Sequence, residues 1–394
     1  MTRLILVLAV FLAFPGAAVA DALSDFFVAH KAYAQGNYDF AIRYYTRAIQ
    51  SGELSSEHQA ITFNNRGLAY YDKDEYDLAI ADYDRAIRLK PDFAMAFNNR
   101  GRAYADKGDY DRAIELDGDY AFAFNNRGLA HLHKGQFDRA IADFDRAIRL
   151  KPDFAKAFNN RGRAYRKKDQ YDRAIADYDQ AINSGDLSNA NLASIFKNRG
   201  NTYADKDEYD RAIADYDRAT RLKPDDGEVF YIRGVSYGRK GDYDRAIADY
   251  DRAIGLGSPS DHDLARVLVN RGLAYNNKGD YDRAIADYDR AIELDPDDAL
   301  AFNNKAWVLA TASHAQARDG REAVRLARQA VSLDDDPGYR DTLAAAYAEA
   351  GRFDDAVAEQ VRAIEMLRAA GWQNEIADSR SRLGLYRRGQ PYRE

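Results

Sequence analysis

The chain has 394 residues, 46% of them hydrophobic and 31% charged, with a formal net charge of −7. It carries enough apolar side chains to bury a core and is not disordered by composition. The acidic balance argues against a general nucleic-acid binder and against adsorption to anionic membranes. The absence of cysteine rules out disulfides, cysteine-based zinc sites and a thiol on which a lipid anchor could be built.

Residues 1–20 read as an export signal. Arg3 supplies a positive start, Leu4 to Phe14 an apolar run, Pro15 and Gly16 a break, and Ala18-Val19-Ala20 a small-residue cleavage pattern. The run is shorter than the roughly 18 apolar residues a bilayer span requires. Cleavage after Ala20 is expected, with a mature chain from Asp21, no membrane span in it and a periplasmic or secreted location. Retention as an uncleaved anchor is the alternative.

From there the sequence repeats itself. "YDRAIADYDRAI" stands intact at 243–254 and 281–292, with close variants at 76–87, 137–148, 171–182 and 209–220. A second unit, "FNNRG", stands at 63–67, 97–101, 124–128 and 158–162, with "FKNRG" at 196–200. Both units have helical spacing: Phe63, Gly67 and Tyr70 share one face, as do Tyr76, Ala79, Tyr83 and Ala86. "KPDF" at 90–93 stops the second helix, "KGD" at 107–109 turns the first into the second, and Asp or Glu leads the second, where it can cap free amides. No stretch alternates with period two, so strands are not expected.

Residues Ala60 to Phe93 resemble a tetratricopeptide repeat (TPR), a 34-residue pair of helices A and B. Phe63, Gly67, Tyr70, Ala79, Tyr83 and Pro91 take the pattern's Trp, Gly, Tyr, Ala, Phe and Pro places, while Arg66 departs from its Leu. The small residue of helix A recurs as Ala29, Gly67, Gly101, Gly128, Gly162, Gly200, Gly234, Gly272, Ala306 and Ala344. The resemblance therefore implies an all-α, right-handed solenoid of about ten units across 21–370, starting near 22, 60, 94, 121, 155, 193, 227, 265, 299 and 337. A capping helix and polar tail at 371–394 would close its last apolar face.

Three inter-repeat segments, 51–58, 184–191 and 256–263, hold four extra residues and offer Ser55, Ser188 or Ser260 as N-caps. Each should start the next helix A about one turn early. A fourth insertion lengthens the A–B joint within 310–320. Repeat three, at 94–120, is instead short by seven residues, close to two helical turns. Tyr110, Ala113 and Ile114 should still face inward, and the damage should remain local because each repeat touches only its neighbours.

No reaction centre emerges, and no cofactor or metal is expected. The six histidines are scattered, and no HExxH, phosphate loop or nucleophile elbow is present. Asp84 and Arg88 have the i, i+4 spacing of a solvated helix pair. The arginines at 66, 100, 127, 161, 199, 233 and 271 replace an apolar residue, so their stems should pack while their guanidinium groups find an Asp of a helix B.

Asparagine stands two places before the helix A marker at Asn65, Asn99, Asn126, Asn160, Asn198, Asn270 and Asn304, broken only by Ile232 between repeats two and nine. Asn64, Asn98, Asn125 and Asn159 stand beside them. Asparagine is a mediocre helix former, and its carboxamide suits the backbone of an extended peptide. In the tetratricopeptide family these positions line the concave groove, and the ladder resembles that of the peptide-binding superhelix of O-linked N-acetylglucosamine transferase, whose catalytic domain has no counterpart in this sequence. The other reading is an asparagine copied by duplication that packs or hydrogen-bonds between adjacent A helices.

Arg102 and Arg163 add positive charge suited to acidic ligands, and Asn201 alone fits the second asparagine place of the family's carboxylate clamp, whose first lysine is missing here. The expected function is a non-enzymatic scaffold binding an extended protein segment in assembly of a cell-envelope complex. A carbohydrate-binding scaffold in polysaccharide export is the alternative, and a carboxylate clamp is disfavoured. Oligomeric state is left open.

Overall fold

The computed structural model describes residues 17–109, 111, 121–185, 187–257 and 260–394. Among these it holds twenty α-helices, one short 3-10 turn and no strand. The chain is an all-α solenoid, dividing between residues 186 and 187 into two compact units. The first holds α1 (Ala17–Ala34), α2 (Tyr38–Gln50), α3 (Ser56–Tyr71), α4 (Tyr76–Leu89), α5 (Ala94–Lys107), α6 (Ala121–His133), α7 (Phe137–Leu150), α8 (Ala155–Lys167) and α9 (Tyr171–Asn183). The second holds α10 (Asn189–Asp205), α11 (Tyr209–Leu222), α12 (Gly227–Arg239), α13 (Tyr243–Gly255), α14 (Asp261–Asn277), α15 (Tyr281–Leu294), α16 (Ala299–Thr311), α17 (Gly320–Leu333), α18 (Pro337–Glu349), α19 (Phe353–Ala370) and α20 (Gln373–Tyr386). Within each unit every helix packs chiefly on its neighbours in sequence.

Local chemistry sets the ends of these helices. Ser55, Ser188 and Ser260 accept hydrogen bonds from the amides of His58, Asn191 and Asp263. The helices they start run 16 or 17 residues, against 13 for α6, α8 and α12. The four added residues thus become the expected extra turn. Capping of helix B differs from expectation. Asp242 and Asp280 accept from the amides of Arg245 and Arg283, whereas Glu75 and Glu208 make no side-chain cap. The longer glutamate arm overshoots the amide that an aspartate reaches. The A–B turn needs one left-handed residue, Gly241 in one repeat (φ +79°) and Asp207 in another (φ +58°), a conformation aspartate adopts more readily than most side chains. The lengthened joint of repeat nine places its 3-10 turn at Ala315–Ala317.

The core repeats one contact. The glycine markers of α3, α6, α8, α10, α12 and α14 each face an aromatic ring of the following helix: Tyr83, Phe144, Tyr178, Tyr216, Tyr250 and Tyr288. All six rings are buried. A Cβ at any of these glycines would stand 2.6–2.8 Å from the ring, so the two helices approach as closely as a missing side chain allows. Ala79 and Ala86, one turn either side of Tyr83, are fully buried beside it. Of the short third repeat, Tyr110, Ala113 and Ile114 lie outside the described residues, as do residues 1–16 of the expected signal. Asp111 is described and α5 packs on α6.

This packing reverses an ordinary propensity rule. Replacing a helical glycine by alanine stabilises by about 0.5–1 kcal/mol where space permits. Gly162→Ala should instead lower stability by about 1–3 kcal/mol, because its Cβ would enter the Tyr178 ring. Gly255→Ala, with nothing within 4 Å, should be neutral or stabilising in the same urea titration.

Candidate functional site: the A-helix face

An arginine staple builds the face. In α8, Arg161 donates from Nε and Nη2 to both oxygens of Asp177 on α9, at 2.8 and 2.6 Å, and from Nη1 to Asp145 on the preceding α7, at 2.5 Å. One guanidinium thus joins three helices. Arg66 with Asp82, Arg127 with Asp143, Arg199 with Asp215, Arg233 with Asp249 and Arg271 with Asp287 repeat the fork, always sixteen residues apart. Arg233 and Arg271 also reach the preceding helix, at Asp217 and Asp251, and Arg127 reaches Asp111. Hydrogen bonds to Asp143, Asp249 and Asp287 hold these three guanidinium groups well above their ordinary pKa. Burial pushes the Asp177 carboxyl up, with Arg161 pulling it back. Asp84, expected to pair with Arg88 in its own helix, pairs across to Arg100 instead.

Arg100 is the exception. Sixteen residues beyond it stands Leu116, since the seven missing residues took the aspartate. Its Nε is buried with no hydrogen-bond partner among the described residues. The link to Asp84 on the preceding helix survives, and Asp111 still serves Arg127. Asp111 stands sixteen residues before Arg127, the same spacing as Asp145 before Arg161.

In the first unit the asparagines form relays between A helices. Asn99 on α5 donates to Asn64 on α3 at 3.0 Å, and Asn64 donates to Asn65 at 3.2 Å. Asn160 on α8 donates to Asn125 on α6 at 3.0 Å, and Asn125 donates to Asn126 at 3.1 Å. Asn64, Asn99, Asn125 and Asn160 are buried, whereas Asn65 and Asn126 are half-buried. Four candidate residues are thus engaged in joining neighbouring helices, and the outer two stand at the ends of the relays. Arg163 lies 3.4 Å from the Asn160 oxygen and Arg102 lies over the Tyr71 ring. Asn159 is half-buried with a polar partner, and the side chain of Asn98 lies outside the description.

In the second unit the row is less uniform. Asn198 is half-buried and engaged, and Asn201 accepts from the Tyr216 hydroxyl at 2.8 Å. Asn270 donates to the Tyr231 hydroxyl and the Arg266 carbonyl, and Asn304 accepts from Asn303 at 3.4 Å. At the break in the row, Ile232 lines an open pocket of about 540 Å³ with Tyr231, Asp263 and Arg266. Sequence reasoning missed Trp307 of α16, which meets Tyr392, Glu394 and Arg382. One of only two tryptophans, placed one residue after a helix A marker, was the available signal. Among the described residues no cluster of His, Asp or Glu could hold a metal ion, and no helix is long and apolar enough to cross a membrane.

Models of the tetratricopeptide repeat match residues 67–108, 125–189, 197–261 and 265–298, together more than half of the chain. The chain belongs to the tetratricopeptide repeat family. As a TPR array it is, in general terms, a scaffold for protein or peptide partners, and the family is generally a non-catalytic interaction module. No curated protein matches it. Among solved structures, the Cut9–Hcn1 hetero-tetramer of the APC/C aligns at 14% identity over 82% of this chain and 76% of that chain, with a TM-score of 0.50. YrrB, a TPR protein with an unusual peptide-binding site, aligns at 24% identity over 50% and 97%, TM-score 0.42. Yeast Tom70 aligns at 16% identity over 93% and 95%, TM-score 0.40.

The staple and its defect give opposite mutational outcomes in this TPR array. Arg161→Met leaves Asp177, whose side chain is 7% exposed, without its counter-charge and should cost about 3–5 kcal/mol. Arg100→Met removes a partnerless Nε and leaves Asp84, 34% exposed, to water, so it should fall within about 1 kcal/mol of neutral. Urea unfolding of both variants reads the difference.

Proposed function

We propose that this TPR array is exported and holds an extended protein segment along its A-helix face, as a non-enzymatic scaffold in assembly of a cell-envelope complex. The asparagine relay carries the reading. Asn64 and Asn125 each donate to the carboxamide oxygen of the next residue. With that oxygen engaged, the amide of Asn65 or Asn126 faces away from the relay as a donor. Peptide backbones offer carbonyls to such donors, and the half-buried position gives access without full desolvation of the segment. The relay also fixes the rotamer in advance, which lowers the ordering cost of binding. The export half of the proposal rests on the residue pattern of 1–20.

Affinity capture from periplasmic extract, followed by mass spectrometry, tests both halves by identifying the partner and the mature N-terminus. The double variant Asn65→Ala/Asn126→Ala removes two donors worth about 0.5–1.5 kcal/mol each, so it should bind the captured segment roughly tenfold or more weakly. It also takes the acceptors from the buried Asn64 and Asn125 amides, so stability should fall by about 1–3 kcal/mol per site and affinity is compared where circular dichroism shows the variant folded. Asn125→Ala should lower stability by about 1–3 kcal/mol, because it strands the buried amide of Asn160. Wild-type affinity in the folded double variant would overturn the groove reading.

A further inference from the structure

Beyond α20 the chain turns at Gly389 (φ +67°) and residues 390–394 run back across α16 and α18 as a strap. The Glu394 amide donates to the Thr311 carbonyl at 3.0 Å, in the last turn of α16. The Trp307 indole donates to the Glu394 carboxylate at 2.6 Å. Arg393 donates to the Ala310 carbonyl at 3.3 Å and pairs with Glu349 at the end of α18. Tyr392 packs its ring 5.9 Å from the indole, and Arg382 of α20 covers both rings at 5.8 and 5.6 Å while paired with Asp341 at 3.0 Å.

These are the contacts of a bound extended peptide: a backbone amide on a free helix-end carbonyl, a ring on an indole, and two charges of opposite sign each on a complementary group. The strap itself is shallow. Pro391, Tyr392 and Arg393 are half-buried and Glu394 is exposed, so an incoming chain could replace it without opening the core. The Trp307 position is also one of a row. Its counterpart in the preceding repeat, Leu273, is 44% exposed.

We propose that the Trp307 face of α16 and α18 is a docking site for an extended partner segment that carries, in order, an aromatic ring, a guanidinium and a carboxylate. Residues 390–394 occupy this site in cis, and a partner segment of the same chemistry must displace them. The proposal rests on the scaffold reading for the use of the site and not on the asparagine relays, which lie in the other unit.

The test uses the full chain and a fluorescein-labelled synthetic peptide of residues 387–394, amidated at its end so that only side chains and backbone are read. Fluorescence anisotropy should show weak binding to the wild type. Tyr392→Ser/Arg393→Ser, which loosens the strap, should bind the peptide at least tenfold more tightly, and adding Trp307→Ala should abolish the gain. Circular dichroism checks that helicity is kept; if the double variant loses it, Arg393→Gln alone, which leaves the Tyr392–Trp307 ring contact in place, serves with the same expected direction. A helical loosened variant that binds no more tightly than wild type, or binds a scrambled peptide equally, overturns the site. Dimerisation of the loosened variant without peptide binding assigns the face to a second copy and overturns the partner segment. Failure here, with segment capture still dependent on Asn65 and Asn126, would remove this site and leave the scaffold reading standing.

Discussion

A guanidinium held by two carboxylates from successive B helices is the interaction on which the solenoid depends. Apolar packing is non-directional, and a stack of alanine, glycine and tyrosine could slide. The forked Arg161–Asp177 bond, with Asp145 on the third nitrogen, admits one relative placement of α7, α8 and α9. Taking these charges out of water costs several kcal/mol, so the staple adds little net stability over a well-packed apolar residue. We therefore read its contribution as register. Planar, bidentate geometry also explains why arginine stands at seven of these places, with lysine only at Lys305 in the run from repeat two to repeat nine.

The same staple explains why a seven-residue loss is tolerated. It removed the in-repeat partner of Arg100 but spared the cross-repeat partners, Asp84 behind and Asp111 ahead. Coupling from one repeat to the next is kept while one repeat loses its internal fork. In a quasi-one-dimensional fold the cost stays where the deletion is.

Much of this was legible in the sequence because it repeats. The apolar faces that carry the glycines and tyrosines, the early helix starts at Ser55, Ser188 and Ser260, and the arginines seeking helix B aspartates all follow from spacing and residue type. Other features turn on single atoms. Whether Glu75 caps a helix depends on one methylene, and whether Asp84 pairs with Arg88 or Arg100 depends on the neighbouring repeat. The asparagine ladder was the hardest case. Composition at one position cannot separate a buried hub such as Asn125 from its outer neighbour Asn126; only the relay between helices does. The strap escaped for a related reason, since a short polar segment folding back on Trp307 leaves no periodic trace.

Structure and function meet on the A helices. Staples and relays join these helices to their neighbours, and the outer carboxamides and the Trp307 face are the places where we propose that an extended chain binds. The most direct test of the staple is native-state hydrogen exchange of the wild-type protein, comparing Ala94–Lys107 with Ala155–Lys167. The two helices share the "FNNRG" unit but only the second has its in-repeat fork. Exchange in α5 should proceed through an opening at least tenfold more populated than that in α8. Equal protection of the two would show that the fork does not govern the stack.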